Sequence, residues 1–245
     1  MQNKQNLFGL SQSELDTFFS KLGEKPYRTK QFMKWIYHQH EFDFNQMLNL
    51  SKELRQKLLQ VATLELPKIS SQNFASDGLI KWLIDLGSDN HIEMVYIPEK
   101  DRGTLCISSQ VGCSLACTFC STGMQGFNRN LTTAEIIAQI IIANEHLSHE
   151  NKKISNVVFM GMGEPLLNEK SVYSACDLLL DDLAFGLSRR KVTISTSGVV
   201  PALYRMAQTT PVSLAISLHA PDDELRDELV PINQKYPIEE LMAAC

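Results

Sequence analysis

The chain has 245 residues, 44% apolar and 21% charged, enough for a full core in one large domain or two smaller ones, which excludes a disordered tail or a short peptide. No apolar run approaches the roughly 20 residues that cross a bilayer, and the N-terminal MQNKQNLFGL lacks the pattern of a secretory signal. These features point to the cytoplasm without membrane attachment, and the net charge of −5 excludes a uniformly basic coat while leaving room for local basic patches.

The first sixty residues follow helical periodicity. Leu15, Phe18, Phe19 and Leu22 share one face, Phe32, Trp35 and Ile36 a second, and Leu50, Leu54, Leu58 and Val61 a third. Gly23 and Pro26 separate the first two helices, and Ser51 is placed to cap the last. Between Lys21 and Lys34 lie five basic residues (Lys21, Lys25, Arg28, Lys30, Lys34) against the single acid Glu24, with Tyr27, Phe32 and Trp35 interleaved. Such a run is either a solvated helix face or a phosphate-contacting surface.

From Leu66 the period changes to two. DGLIKWLIDL and HIEMVYIP, joined by GSDN at 87–90, read as a β-hairpin. Beyond Gly103 strands and helices alternate. TLCIS is followed by a helix with a Thr132-to-Glu135 capping box, then by the strand NVVFM and the helix SVYSACDLLLDDL. The strand KVTIS, the helix PALYRMAQ with Pro201 in its first turn, and the strand VSLAISL complete the series. This predicts an α/β fold of right-handed βαβ units around a parallel sheet. The expected division is a helical unit over 1–62, a β-hairpin extension over 63–102 and an α/β core over 103–245. Only four core strands are read, and the sequence stops inside the helix-like IEELMAAC, so a truncated piece of a larger sheet is expected.

Ligands of such folds gather at the carboxyl ends of the strands. The segments there are QVGCSLACTFC, GMGEP, STSG and SLHAP. In the reducing cytoplasm clustered cysteines point to metal or redox chemistry rather than disulfides. Cys113, Cys117 and Cys120 form CxxxCxxC, and the neighbouring Gly112, Ser114, Thr118, Ser121, Thr122 and Gly123 make a buried helical stripe a poor fit. A structural zinc site needs a fourth ligand, which does not stand at ligand spacing. An iron–sulfur cube held by three thiolates leaves one iron open for substrate or cofactor. By pattern alone Glu93 is an exposed strand carboxylate, Cys106 and Cys176 are core thiols, and Cys245 has no assigned role.

CxxxCxxC with Phe119 before its last cysteine resembles the signature of the radical S-adenosylmethionine (SAM) enzymes. The resemblance implies a partial (βα) radical SAM barrel with a [4Fe–4S] cluster on Cys113, Cys117 and Cys120, and SAM received by Gly163 and Glu164 of GMGEP. TLCISSQVGC, CSTGMQGFNRNL, VVFMGMGEPLLN, TISTSG and ISLHAP together resemble the RlmN-type adenosine-C2 RNA methyltransferases, over nearly the whole chain. That family implies a helix-hairpin-helix-like RNA-binding unit at the N-terminus, and methylation of C2 of an adenosine in 23S rRNA and of one in the anticodon loop of certain tRNAs. It also implies further SAM contacts from Ser195, Ser217, Leu218 and His219, Glu93 as proton acceptor, and Cys106 as a cysteine that enters a disulfide during turnover. The family's route uses a methyl-cysteine and a 5′-deoxyadenosyl radical, because the electron-poor C2 of adenine is no nucleophile for an ordinary methyl transfer. It requires a flavodoxin-like electron donor and a thiol reductant. The family's methyl-carrying cysteine has no matching context here, so the 245 residues are expected to hold the cluster without methylating RNA by themselves. The readings left open are an adenosine-C8 methylase or other radical SAM enzyme, and a noncatalytic iron–sulfur or zinc RNA-binding fragment.

Overall fold

The computed structural model of the protein describes residues 4–150 and 152–245. Strand β1 (Gln5–Asn6) leads into helices α1 (Gln12–Lys21), α2 (Tyr27–Tyr37) and α3 (Lys52–Val61), and β2 (Ala62–Thr63) pairs back in parallel with β1. Helix α1 begins at a Ser11–Glu14 capping box and α3 at Ser51, whose hydroxyl accepts the Leu54 N–H. Leu50 belongs to the turn before that cap rather than to the helix, yet it is buried with Leu54 and Leu58. Phe19 and Phe32 meet edge to face at 5.3 Å in the centre of this unit. Tyr37 of α2 packs on Phe185, 5.1 Å between centroids, and joins the unit to the rest of the molecule.

The main sheet has seven strands in the order β11-β10-β9-β6-β5-β4-β3. Strands β3 (Lys68–Phe74), β4 (Ile80–Asp85), β5 (His91–Glu99) and β6 (Arg102–Cys106) form an antiparallel meander. The β4–β5 hairpin is present, and it is continuous with the core sheet rather than a separate extension. Next to β6 the sheet becomes parallel through β9 (Asn156–Phe159), β10 (Val192–Thr196) and β11 (Ser213–Ile216), crossed by helices α5 (Thr133–Ser148), α6 (Glu169–Leu180) and α7 (Val200–Thr209). The parallel order never reverses, so right-handed crossovers set all three helices on one face and leave the other to curl as part of a barrel.

Register confirms the two faces. Leu105, Val157 and Val192 lie side by side and wholly buried toward the helices, continuous with Tyr96, Met94 and Trp82 of the meander. Helix α5 covers this face with Ile136, Ile137, Ile140 and Ile141, each burial contributing about 1.5–3 kcal/mol. By strand alternation the opposite, concave face carries Lys81, Glu93, Val95, Cys106, Val158, Thr193 and Ser195, all half-buried.

Three short elements have no periodic signal in the sequence: the antiparallel pair β7 (Gln110–Gly112) and β8 (Phe127–Asn130), and the single helical turn α4 (Ser121–Met124) between them. After β11 come α8 (Asp223–Leu229), a 3-10 turn at Pro231–Gln234, and α9 (Ile238–Ala243). Among the described residues no helix is long and apolar enough to cross a membrane.

Candidate active site

The cysteine loop leaves β7 through Gly112, whose φ is +72° and where a Cβ would sit 1.8 Å from the Gly126 carbonyl oxygen. Only glycine meets both demands, and the turn lets the Cys113 N–H donate to that same carbonyl at 3.0 Å. The backbone through Cys117 is irregular, with Ala116 at φ +52°, which bears out the sequence argument against a helical stripe. Cys117 is buried, and Cys113 and Cys120 are half-buried. Burial raises the Cys113 and Cys117 thiols, and the charges of neighbouring cysteines and of Glu164 raise them further. A site that crowds anionic donors in this way is relieved by positive charge, and binding of a cationic group releases the protons.

The donor set fits iron and sulfur better than a lone ion. A tetrahedral zinc would hold thiolate sulfurs roughly 3.8 Å apart around one centre. Among the described residues no three Cys, His, Asp or Glu side chains gather closely enough to hold a single metal ion. Three soft thiols that feel one another's charge are the donor set that iron–sulfur clusters take.

Beside the loop, at the carboxyl ends of β9, β10 and β11, lies a pocket of about 200 Å³ walled by Gly161, Gly163, Glu164, Ser195, Ser197 and Ser217, with Phe159 and Met160. Gly163 has φ +96° and its Cα faces Gln110 so closely that a Cβ would lie 2.5 Å from that side chain. Glu164 is 3% exposed. Its carboxylate accepts the Leu166 N–H at 3.1 Å, the Ser197 N–H at 2.9 Å and the Thr196 hydroxyl, so it caps the turn at Pro165–Leu167 and ties the end of β9 to the end of β10. The hydroxyls of Ser195 and Ser217 lie 3.2 Å apart across adjacent strand ends. Leu218 and His219 stand beside this pocket rather than in its wall. His219, at φ +63°, packs on Phe119 of the cysteine loop with ring centroids 4.4 Å apart.

Burial pushes the Glu164 carboxyl above its ordinary 4.5, and the hydrogen bonds from Ser197, Thr196 and Leu166 pull it back only in part. The folded chain holds this proton more tightly than the unfolded one, so the contribution to stability is complete below about pH 4.5 and is lost as pH rises through the raised value. Urea unfolding is expected to show that loss in the wild type and not in Glu164→Gln; equal slopes would remove Glu164 as its source. Glu164→Ala, which strands the Ser197 and Leu166 N–H groups, is expected to cost about 1–3 kcal/mol for each.

Glu93 and Cys106 occupy the concave face below the loop. The Ser108 hydroxyl donates to the Glu93 carbonyl at 2.6 Å, and Lys81 pairs with the Glu93 carboxylate at 2.6 Å, both side chains being half-exposed. Cys106 lies opposite Val95, two residues from Glu93 on the same face, and is half-buried instead of sealed in the core. Burial raises its thiol to about 11, against a backbone hydrogen bond from Met160. Cys176 is fully buried on α6, as its apolar neighbours suggest. Cys245 is exposed, with its thiol toward the Leu241 carbonyl at 3.2 Å.

Four polar residues that position the site were not singled out by the sequence reading. Gln139 of α5 exchanges two hydrogen bonds with the Ser108 backbone, at 2.8 and 2.9 Å. Gln110 accepts the Glu164 N–H at 2.8 Å, and Asn168 donates to the carbonyls of Ser109 and Leu131. The fourth, Arg226, is wholly buried. A lone glutamine inside AEIIAQIIIA was a usable signal; the other three had none.

A half barrel wound in one direction, with a three-cysteine loop after its first parallel strand and a glycine–glutamate pocket after the second, defines a radical SAM enzyme. Residues 107–245 match the model of the Radical SAM superfamily, and residues 5–64 match that of the ribosomal RNA large subunit methyltransferase N-terminal domain. The chain is 71% identical, over 243 residues, to the dual-specificity RNA methyltransferase RlmN of Vesicomyosocius okutanii, covering 99% of this chain and 68% of that protein. The same figures hold for RlmN of Ruthia magnifica. A crystal structure of a radical SAM methyltransferase from Sphaerobacter thermophilus superposes with a TM-score of 0.91 at 39% identity, covering 98% of this chain and 71% of that one. The chain belongs to the RlmN family of radical SAM RNA methyltransferases, which uses a [4Fe–4S] cluster and SAM.

Proposed function

We propose that the protein methylates C2 of adenosine in 23S rRNA and in the anticodon loop of tRNAs. One observation carries this reading: a three-thiol loop, a buried-glutamate pocket, Cys106 and Glu93 all lie at the carboxyl end or on the concave face of one sheet. In it Cys113, Cys117 and Cys120 hold the cluster, and Gly163, Glu164, Ser195, Ser217, Leu218 and His219 hold SAM. The cluster, when bound, supplies the single electron that cleaves SAM. Glu164 offers a carboxylate to the ammonium group of SAM, and Gly163 lets the backbone approach it. The paired hydroxyls of Ser195 and Ser217 orient polar groups of the ligand. Glu93 takes the proton from C2 of the substrate base, with Lys81 holding the carboxylate in place. Cys106, protonated in its resting state, would give up its proton and attack the sulfur of the family's methyl-carrying cysteine, breaking the bond from that sulfur to the transferred carbon, which keeps the electron pair and takes up a proton as the product's methyl group.

The reading assigns RNA contact to residues 1–62, with the hairpin region 63–102 bridging to the core at 103–245. Lys21, Lys25, Lys30 and Lys34 are exposed and available to phosphates. Arg28 is instead held by Glu24 at 3.3 Å and by the Asn49 carbonyl at 3.0 Å, and Phe32 is core. A flavodoxin-like donor, a thiol reductant and a cytoplasmic setting complete the proposal. None of the 245 residues matches the family's methyl-carrying cysteine.

The test reconstitutes the protein anaerobically and incubates it with SAM, a reductant and either 23S rRNA or tRNA. Because the chain spans 68% of its relatives' length, one arm extends it with the C-terminal part of the 71% identical relative. The expected product of the extended form is 2-methyladenosine in both RNAs. Methylation at C8 instead, or a colourless protein that retains zinc after reconstitution, would overturn the proposal.

A further inference from the structure

The cysteine loop is tied to the segment that follows β11. Thr118, immediately after Cys117, donates its N–H to the Leu229 carbonyl and its hydroxyl to the Glu228 carbonyl, both at 3.2 Å. These carbonyls form the C-terminal end of α8, a helix rich in charged residues. Three residues earlier on the same helix, Arg226 is 0% exposed. Its guanidinium donates to the Ser197 carbonyl at 2.6 Å, to Leu218 at 3.0 Å, to Ser217 at 3.5 Å and to the Asn233 amide oxygen at 2.5 Å. It therefore gathers the loops after β10 and β11 around one fork.

All four acceptors are neutral. Asp223 and Asp227 act on the guanidinium through space without bonding it, and both are bonded instead by the Asn233 amide, at 2.8 and 2.7 Å. A buried cation without a direct counter-ion is costly, by several kcal/mol in general, and gains from an anion placed nearby. The cysteine loop is placed to supply one: Thr118, next to Cys117, bonds the last carbonyls of the helix that carries Arg226, and Arg226 holds the carbonyl of Ser197, beside which Cys117 lies. A cluster bound by three thiolates is anionic and becomes more so by one unit on reduction, so a buried cation beside it favours the reduced form.

We propose that Arg226, oriented by Asn233, is the counter-charge of the cluster and a positioning residue for it, and that the Thr118–α8 contact latches the cysteine loop in place. The inference rests on the reading that Cys113, Cys117 and Cys120 bind a [4Fe–4S] group. The test follows iron release and EPR-monitored reductive titration in the reconstituted chain, with circular dichroism as the control for folding. Thr118→Val is expected to release iron about 2- to 10-fold faster, the equivalent of one net hydrogen bond. Arg226→Met is expected to lower the reduced-to-oxidised ratio at fixed potential about tenfold, a shift of about −59 mV for one electron. Arg226→Lys, which keeps the charge and loses the fork, is expected to retain most of the potential and to release iron faster. A wild type that binds no cluster overturns the cysteine reading and this one with it. A wild type with about four irons, alongside variants within twofold of it in both measurements, overturns only the role of Arg226 and Thr118. If Arg226→Met fails to fold, unchanged iron release in both Arg226→Lys and Thr118→Val overturns it.

Discussion

Replacing Cys117 by alanine is expected to abolish methylation in the extended form and to reduce bound iron from about four per chain to less than about one, while the chain still folds. Cys117 is buried where Cys113 and Cys120 are only half-buried, and it lies beside Ser197, so it is the thiol through which the loop meets the strand ends. Its removal leaves two protein ligands for a group that needs three, and no other Cys or His in the loop can take its place. The energetic cost to the apo fold is small, because alanine refills most of the space of a thiol; about 1 kcal/mol is expected. Cys176→Ala is the control. That thiol is more deeply buried and lies on α6 among apolar neighbours, so its loss should cost at least as much stability and no iron. Retention of about four irons and of the visible absorption in Cys117→Ala would refute the assignment of the loop.

The second large effect is expected at Glu93. In the extended form its exchange for glutamine should lower turnover by about 10²- to 10⁴-fold, the usual contribution of a positioned general base, with iron content and SAM binding unchanged. The side chain is half-exposed, and its one ion pair, to Lys81, is worth about 0.2–1 kcal/mol. A fall in rate thus cannot be charged to unfolding, and urea midpoints of the two proteins should nearly coincide. Lys81→Met, which leaves the carboxylate in place without its partner, should reduce turnover by less. If Glu93→Gln turns over at the wild-type rate, the proton leaves the base by another route and Glu93 is an ordinary strand carboxylate.

The sequence by itself determined the elements whose information is local. The Thr132–Glu135 capping box starts α5, Ser51 caps α3, and the alternation of HIEMVYIP builds a strand with Glu93 and Val95 on one face. The spacing of Cys113, Cys117 and Cys120 among glycines and hydroxyl residues marked them as a ligand loop, since no packing need explains thiols in that company. Strand β3 escaped notice because KISSQNF is an edge strand with little apolar surface to pattern, and β7, β8 and α4 are each shorter than the window in which a period can be read.

Tertiary structure alone decided how the site is held. Residues 93, 106 and 195 reach one face, and Glu164 the strand ends beside it, only because the strand order β5-β6-β9-β10 and its register put them there. Glu164, read as a ligand for an ammonium group, also joins two strands through contacts 33 residues apart in the chain. Arg226 is the extreme case: in DDELRDEL six of the eight side chains are charged, and nothing local says which of them turns inward. Hydrophobic periodicity records which face is buried. The partners of a buried polar group lie far away in the chain, so their placement is settled only when the strands have been assembled.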